Sequence, residues 1–165
     1  MLEATLDIAK VQSAFKVHHE SITVEPRQSP EFIDITDRVV EAVLNSGVRM
    51  GWVNVQTRHT TTAIVVNENE PLLMEDAETF LETLAPAEGE YRHNDTSVRT
   101  VNLLPEESPN GHSHCRAMVL GASETVNVVN GALDLGRWQR IFMVELDGKR
   151  PREVSLMIIG SGVED

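Results

Sequence analysis

Residues 48–66 read VRMGWVNVQTRHTTTAIVV, in which two apolar runs flank a short polar segment. The first run, 48–57, combines Trp52 with several valines, and bulky and β-branched residues of this kind favour strands. The second run, 63–66, has the same character and predicts another strand. The polar segment 58–62, with the sequence RHTTT, therefore joins two strand ends.

An amphipathic helix is predicted on each side of this stretch. Before it, apolar residues at helical spacing run over 39–44, with Thr36 as a cap and Gly47 as the stop. After it, the segment 71–84 predicts a second helix, because Pro71 suits a first helical turn. The apolar face of the second helix is formed by Leu72, Leu73, Phe80, Leu81 and Leu84.

The segment 86–114 breaks the periodic pattern, because it carries three prolines, two glycines and many polar residues. A loop of this length in a compact domain is usually functional or mobile. Asn130-Gly131 predicts a tight turn, and 147–151 is predicted to join the last two strands as a hairpin. The remaining strands are predicted at 14–24, 125–129, 137–146 and 153–159.

The composition predicts one globular domain over residues 1–165, with an ordinary apolar fraction of 41%. The single cysteine excludes an internal disulfide. Since the chain shows neither a signal-peptide pattern nor a long apolar stretch, we expect a cytoplasmic protein without a membrane partner. The formal net charge of −12 argues against nucleic acid as a partner, because phosphate backbones bind basic faces. Local cations still allow a phosphorylated small-molecule substrate.

Histidines are concentrated in the polar segments. His59 follows the first strand, His93 lies within the long loop, and His112 and His114 end that loop. Three imidazoles that converge can bind a divalent metal and leave one position open for water or substrate. Histidines on polar loops are also commonly solvated side chains, and the chain has no HExxH or paired CxxC spacing. Spacing alone leaves both interpretations open.

Polar groups beside the predicted strands offer further chemistry. Arg58 and the threonine hydroxyls after His59 suit a phosphate, although a threonine-rich strand explains the same residues. Glu68 is a candidate general acid or base. Asn69 is expected to cap the second helix, and the acidic Glu70 favours its positive dipole end.

Two more side chains, Cys115 and Trp138, have either a functional or a packing role. Cys115 adjoins His114, but neighbours along a chain point apart, so we expect a small packing residue rather than a nucleophile. Trp138 opens a predicted strand, and walling a pocket or packing in the core explains it equally well.

Taken in order, several short motifs resemble the YjbQ-like family, also labelled the secondary thiamine-phosphate synthase type. Each motif is short, but their order and spacing hold over residues 10–162. The matching residues are His59-Thr60-Thr61-Thr62-Ala63, Asn67-Glu68-Asn69, Tyr91-x-His93, Ser113-His114, Leu120-Gly121, Gly136-Arg137-Trp138-Gln139 and the ELDGKR turn at 145–150.

The resemblance implies an α+β fold, in which a strongly curved mixed or antiparallel sheet is flanked by two main helices. It also implies a homotrimer whose pocket, near a subunit boundary, is lined by His59, His93 and His114. The family name implies a transfer that joins a pyrimidine diphosphate to a thiazole phosphate, as a weak or secondary activity. This chain departs from the commoner pattern in its long segment 94–110 and in Cys115-Arg116, where an apolar residue and a lysine are usual.

Two functional hypotheses follow. In the first, the protein is an enzyme that acts on phosphorylated small molecules, as a thiamine-phosphate synthase-like transferase or a metal-dependent hydrolase. A divalent metal, zinc or magnesium, is then held by His59, His93 and His114, and protons are moved by Glu68 and His59. The residues expected to bind substrate are Arg58, Thr60, Thr61, Asn67, Arg116 and Trp138. In the second hypothesis, the protein is a non-catalytic trimer that binds a metabolite or a metal.

Overall fold

A computed structural model describes residues 13–104 and 107–163, and over them the chain forms eight strands and three α-helices. The helices are α1 Thr36–Ser46, α2 Pro71–Leu84 and α3 Gly111–Leu120, and a 3-10 turn spans Arg92–Asn94. The strands are β1 Ser13–Val24, β2 Glu31–Asp34, β3 Met50–Thr57, β4 Thr62–Glu68, β5 Ser123–Val129, β6 Ala132–Leu133, β7 Gln139–Glu145 and β8 Arg152–Val163. None of the helices in these described ranges is long and apolar enough to cross a membrane.

The strands form a strongly curled antiparallel half-barrel, which confirms the predicted α+β fold class. Five strands are hydrogen-bonded in the order β1-β8-β3-β5-β6, and three in the order β2-β7-β4. Every strand pair that the structure describes is antiparallel. The two predicted helices are present as α1 and α2. A third helix, α3, begins at Gly111, inside the stretch that the sequence predicted to be a loop.

Two chain segments cross from one sheet to the other, and they run side by side. The segment 58–61 leaves β3 in the larger sheet and enters β4 in the smaller one, and the segment 146–151 leads back from β7 to β8. A backbone hydrogen bond from Leu146 N to Thr61 O (3.2 Å) joins the two segments, and one from Arg58 N to Glu153 O (3.4 Å) ties the first segment to the start of β8. These crossovers form the base of the site described below.

The prediction that residues 147–151 form a hairpin is wrong, because β7 and β8 belong to different sheets. The segment instead folds around the carboxylate of Glu145. One oxygen of this carboxylate accepts hydrogen bonds from the backbone N–H groups of Leu146 (3.1 Å), Asp147 (2.8 Å) and Gly148 (3.0 Å). The tight turn predicted at Asn130-Gly131 is confirmed, since both residues have positive φ, 55° and 80°, between β5 and β6.

Helix α1 ends at Gly47 as predicted, but it does not begin with a threonine cap. Ile35 occupies the cap position, and Thr36 is the first helical residue and is buried. The hydroxyl of Thr36 instead accepts a hydrogen bond from the backbone N–H of Ile141 in β7 (2.8 Å). The threonine therefore ties α1 to the sheet rather than satisfying the helix's own N–H groups.

Helix α2 is capped by Glu70 and not by Asn69. The Glu70 carboxylate accepts hydrogen bonds from the backbone N–H groups of Leu72 (3.1 Å) and Leu73 (2.8 Å), which are two of the four that a helix start leaves unpaired. Asn69 donates its side-chain amide to Asp34 on β2 (3.0 Å). The prediction that Asn69 caps the helix is therefore wrong. The longer side chain of Glu70, on extended backbone, reaches the free N–H groups instead.

The core has two parts. The larger part lies against the five-stranded sheet and α1, and the smaller one is shared by β4, β7, α2 and α3. Leu81 is the one residue of α2 that is fully buried, whereas Leu72 and Phe80 are 66% and 61% exposed. The predicted apolar face of α2 is thus only partly used, because Ala117 and Leu120 of α3 cover the same smaller core.

Candidate functional site

A cavity of ≈ 450 Å³, which we call the arginine cleft, opens over the two crossovers. Its walls come from the crossover residues 58–61 and 150–152, from the segment 93–110 and from the first turn of α3. The structure brings the three predicted histidines together here, as well as Arg58, Thr60 and Thr61. The side chains that define the cleft are the histidines His59, His93 and His114 and the arginines Arg58, Arg99, Arg150 and Arg152.

His93 and His114 form an edge-to-face pair in the cleft, with ring centroids 4.6 Å apart. The side chain of Asn94 fixes the loop that carries His93 against the helix that carries His114. Its oxygen accepts hydrogen bonds from the backbone N–H groups of Asn110 (3.1 Å) and Gly111 (2.9 Å) at the start of α3. Burial, with a smaller contribution from His93, lowers the pKa of His114 below its ordinary value. His114 is therefore a neutral imidazole near pH 7.

His59 is held by a backbone group of β8. Its Nε2 accepts a hydrogen bond from the backbone N–H of Glu153 (2.9 Å), which places the hydrogen of the neutral ring on Nδ1. Burial lowers the pKa of His59, and the nearby positive charge of Arg152 lowers it further. His59 thus enters the site as a neutral ring with a fixed tautomer.

Each arginine of the cleft already has a carboxylate partner. The pairs are Arg58 with Glu153 (2.8 Å), Arg99 with Glu107 (3.0 Å), Arg152 with Glu145 (2.5 Å), and Arg150 with Asp147. The side chains of Arg58 and Arg150 are 61% and 54% exposed, whereas those of Arg99 and Arg152 are 14% and 2% exposed. Arg58 and Arg150 are therefore the two arginines that a ligand can reach.

The two buried arginines build the cleft. Arg152 donates to both oxygens of Glu145 and lies 3.4 Å from the hydroxyl of Thr61. Arg99 donates to the backbone carbonyls of His93 (3.3 Å) and Asn102 (2.6 Å), so it gathers the segment 93–102 around itself. Residues 93–102 of the long polar segment consequently form a wall of the cleft.

Three polar atoms of the cleft residues are buried without a hydrogen bond, and one of them, Glu107 Oε2, belongs to the ion pair with Arg99 (3.0 Å). His93 Nε2 and Asn110 Oδ1 have no hydrogen-bond partner among the described residues. Asn110 is only 6% exposed, and its side-chain nitrogen is 3.4 Å from Glu107. Unpaired buried polar atoms are rare in folded proteins and each costs about 1–3 kcal/mol. Both unpaired atoms lie beneath the cavity surface, so they belong to the frame of the cleft rather than to its open face.

Arg116 does not face the cleft, and the structure contradicts its predicted role as a phosphate ligand. The side chain is 2% exposed and binds the carbonyl oxygen of Ala85 through Nε (2.9 Å) and Nη2 (2.7 Å), and the carboxylate of Glu82 (2.5 Å). The buried guanidinium thus provides hydrogen-bond donors for the acceptor groups at the C-terminal end of α2. Arg116 is therefore a structural residue, and the neighbouring Cys115 is half-buried outside the cleft lining.

Asn67, Glu68 and Trp138 lie at the opposite end of β4 and β7 from the crossovers. Thr62 pairs with Glu145 at the cleft, whereas Glu68 pairs with Gln139, six residues further along. At about 3.3 Å per strand residue, this separates Glu68 from the cleft by roughly 20 Å within one chain. Trp138 is 60% exposed and packs against the Arg137 guanidinium instead of walling the cleft.

The predicted three-histidine metal site does not form in the described residues. Over residues 13–104 and 107–163, no group of three or more His, Cys, Asp or Glu side chains is placed to hold a metal ion. His59 Nε2 is engaged by the Glu153 N–H, which leaves His93 and His114 as a pair. The donor set as it stands therefore does not fit a resident divalent metal.

Several cleft residues escaped the sequence analysis. Arg99 and Asn110 lie in the polar loop, where nothing in the local pattern distinguishes them from solvated residues. Arg150 and Arg152 lie in the sequence KRPRE, beside the ELDGKR motif. A cluster of basic residues in a chain with net charge −12 marks this segment, but it does not tell a buried arginine such as Arg152 from a solvated one.

The fold and the cleft define a class of small α+β half-barrels with a histidine- and arginine-lined cavity between sheet crossovers. The sequence model of the family described as UPF0047 protein YjbQ-like matches residues 20–161. The chain belongs to this family, as the motif resemblance predicted.

Relatives from archaea and bacteria support this assignment. A UPF0047 protein of Methanothermobacter thermautotrophicus is 40% identical over 145 residues, which cover 88% of this chain and 94% of the relative. The Bacillus subtilis protein YugU is 30% identical, covering 86% of this chain and 98% of the relative. The crystal structure of a YbjQ-like protein of unknown function from Sulfolobus solfataricus has a TM-score of 0.80 at 36% identity and covers 89% of this chain and 99% of its own.

Proposed function

We propose that the arginine cleft binds a phosphorylated small molecule, and that its histidines move protons during a reaction at the bound group. The observation that carries this proposal is the open guanidinium surface of Arg58 and Arg150 in a cavity lined by four arginines and three histidines.

The exposed arginine surface of the cleft supports an anionic ligand. Among the described lining residues, four are arginines and one, Glu107, is a carboxylate, whereas the other three carboxylate partners, Glu145, Asp147 and Glu153, are not in the lining. Arg58 and Arg150 retain open guanidinium surface, and two guanidinium groups can grip a phosphate through paired N–H donors. The hydroxyls of Thr60 and Thr61 provide neutral donors on the same side.

The protonation states support acid–base chemistry. His114 is neutral and can accept a proton, and His59 presents an Nδ1–H that can donate a hydrogen bond to the bound group. The proposal therefore assigns proton transfer to His114 and His93, with His59 as a hydrogen-bond donor and no step that depends on Glu68.

Ligand binding is tested with inorganic phosphate and isothermal titration calorimetry. We expect Arg150→Gln and Arg58→Gln each to weaken phosphate binding by about tenfold or more, since each removes a charge-assisted contact. Arg27→Gln is the matched control, because Arg27 is an exposed, carboxylate-paired arginine outside the cleft. Equal phosphate affinities of the cleft variants and the control would contradict the proposed anion site.

Catalysis is tested by turnover of a library of phosphorylated metabolites. We expect His93→Asn and His114→Asn to reduce turnover by about 100-fold or more, the usual size of a general acid–base contribution. His19→Asn on β1 is the control, since this histidine lies outside the cleft lining. Binding without turnover of any library member would instead favour a non-catalytic metabolite-binding protein.

The resemblance to the thiamine-phosphate synthase type adds finer proposals. They are a transfer between phosphorylated substrates and a homotrimer. Light scattering on a sizing column tests the trimer, and elemental analysis of untagged protein tests whether the donor set is without a resident metal. In a trimer, a residue that is remote from the cleft of its own chain, such as Glu68, can lie close to the cleft of a neighbouring chain.

A further inference from the structure

A second cavity adjoins the arginine cleft and has a different character. It measures ≈ 460 Å³ and shares His59, Thr60 and His114 with the cleft. Its remaining walls come from the end of α3 and the turn into β5, and we call it the apolar cavity. These remaining residues are Thr62, Ala117, Met118, Gly121 and Ala122.

The two cavities differ in charge. The arginine cleft has four arginines in its lining, whereas the apolar cavity has no Asp, Glu, Lys or Arg among its described lining residues. His59 and His114 belong to both linings, so they mark the boundary between a cationic compartment and an apolar one. An apolar compartment beside an anion site favours a ligand that carries an apolar group, because filling the compartment removes apolar surface from water.

Met118 strengthens this contrast. Its side chain is 77% exposed at the mouth of the apolar cavity, on a helix whose buried residues are small or polar. A flexible thioether adapts to an apolar partner of irregular shape. Ala117 and Ala122 leave the space beside it unfilled.

We propose that the ligand is an organic phosphate monoester with an apolar body. Its phosphate lies with Arg58 and Arg150, its apolar body fills the cavity beside Met118 and Ala122, and the ester linkage lies next to His59 and His114. This inference rests on the proposed function, because it names the class of molecule that the arginine cleft takes.

The test compares inorganic phosphate, phenyl phosphate and phenol by calorimetry. Phenyl phosphate is expected to bind at least about tenfold more tightly than inorganic phosphate, because its ring buries apolar surface. Phenol, which lacks the anion, is expected to show no measurable binding in the same concentration range.

A blocking variant locates the effect. Ala122 is exposed, and Ala122→Trp fills the apolar cavity without changing any residue of the arginine cleft. This variant is expected to lose the tenfold advantage of phenyl phosphate and to keep its affinity for inorganic phosphate. Ala132→Trp, at an exposed alanine on β6, is the matched control and retains both affinities. Met118→Ser gives the same comparison should the tryptophan variant not fold.

The outcomes separate this inference from the proposed function. Equal affinities for phenyl phosphate and inorganic phosphate, or phenol binding as tightly as phenyl phosphate, would overturn the inference and leave the anion site intact. Failure of both phosphates to bind would overturn the proposed function and this inference with it. An advantage of phenyl phosphate that survives both Ala122→Trp and Met118→Ser would place the ring elsewhere and overturn the inference.

Discussion

Glu145 has no exposed surface, yet its carboxylate organises the whole corner on which the cleft stands. It binds Arg152 with both oxygens and accepts three backbone N–H groups of the crossover 146–151. A buried charge that loses its partner leaves the other charge uncompensated, which is the expensive case in a protein interior. At the scale of single residues, this pair is the one on which stability depends most.

We expect Glu145→Gln to lower the free energy of unfolding by about 3–5 kcal/mol, because Arg152 then stays buried without a counter-charge. Urea unfolding followed by circular dichroism measures the change. Glu153→Gln is the control, since its partner Arg58 is largely exposed and such pairs contribute less than about 1 kcal/mol. Similar losses in both variants would show that Glu145 has no special structural weight.

The depressed pKa values of His59 and His114 predict a pH dependence of stability. The folded protein disfavours protonation of both rings relative to the unfolded chain, whose histidines titrate near 6.5. Their contribution to stability is therefore complete above about pH 7 and is lost as the pH falls through the lower folded values. Unfolding free energies measured from pH 8 to 5 should fall below pH 6.5, and less steeply in His59→Asn and His114→Asn. An unchanged slope in these variants would contradict the pKa directions.

At the scale of elements, β3 and β8 approach each other unusually closely at Gly51 and Gly160. These glycines face one another, and a Cβ on Gly160 would lie 2.2 Å from the carbonyl oxygen of Met50. We expect Gly160→Ala to destabilise the protein by about 1–3 kcal/mol through this overlap. Gly148→Ala is the control, because a Cβ there meets no atom within 4 Å. The measurement is the thermal unfolding temperature of the two variants. A Gly160→Ala protein as stable as the control would contradict the close approach of β3 and β8.

The elements that could be predicted from the sequence are those whose buried face is apolar. The strands β3, β4 and β5 and the helices α1 and α2 were found within two residues of their bounds for this reason. Helix α3 was missed because its buried residues are Gly111, Ser113, Arg116 and Ala117, which carry no hydrophobic periodicity. Ser113 and Arg116 are instead satisfied by the carbonyls of Leu146 and Ala85. A helix that buries polar side chains with internal hydrogen-bond partners has the same sequence pattern as an exposed loop.

The pairing of strands was the second limit at this scale. The sequence around 147–151 has the composition of a hairpin turn. Whether the next strand pairs with the previous one depends on which sheet offers a free edge, and β8 fills the place between β1 and β3. That choice is made by contacts far apart in the chain, so turn composition does not reveal it.

At the scale of the whole molecule, the cleft is assembled from three segments, 58–61, 93–114 and 150–152. Its histidines could be named from the sequence because imidazoles in polar segments are conspicuous. Arg99, Asn110 and Arg152 could not, because their roles come from burial and from partners that only the fold brings near. Arg116 and Glu68 were chosen for their chemistry alone, and the fold places the first behind the cleft and the second at the far end of β4.

A cleft built from three separate segments predicts that a ligand steadies all three at once. Amides that mark the segments are those of Glu153, bonded to His59, and of Asn110 and Gly111, bonded to Asn94. With phenyl phosphate at 100 times its dissociation constant, openings that release the ligand become roughly 100-fold rarer. Hydrogen exchange of these amides should slow by up to that factor, whereas the amide of Gly131 in the remote β5–β6 turn should be unaffected. In Arg150→Gln at the same ligand concentration, tenfold weaker binding should reduce the slowing to roughly tenfold. Slowing confined to one segment would show that the ligand touches only one wall, and the cleft would then not act as a single site.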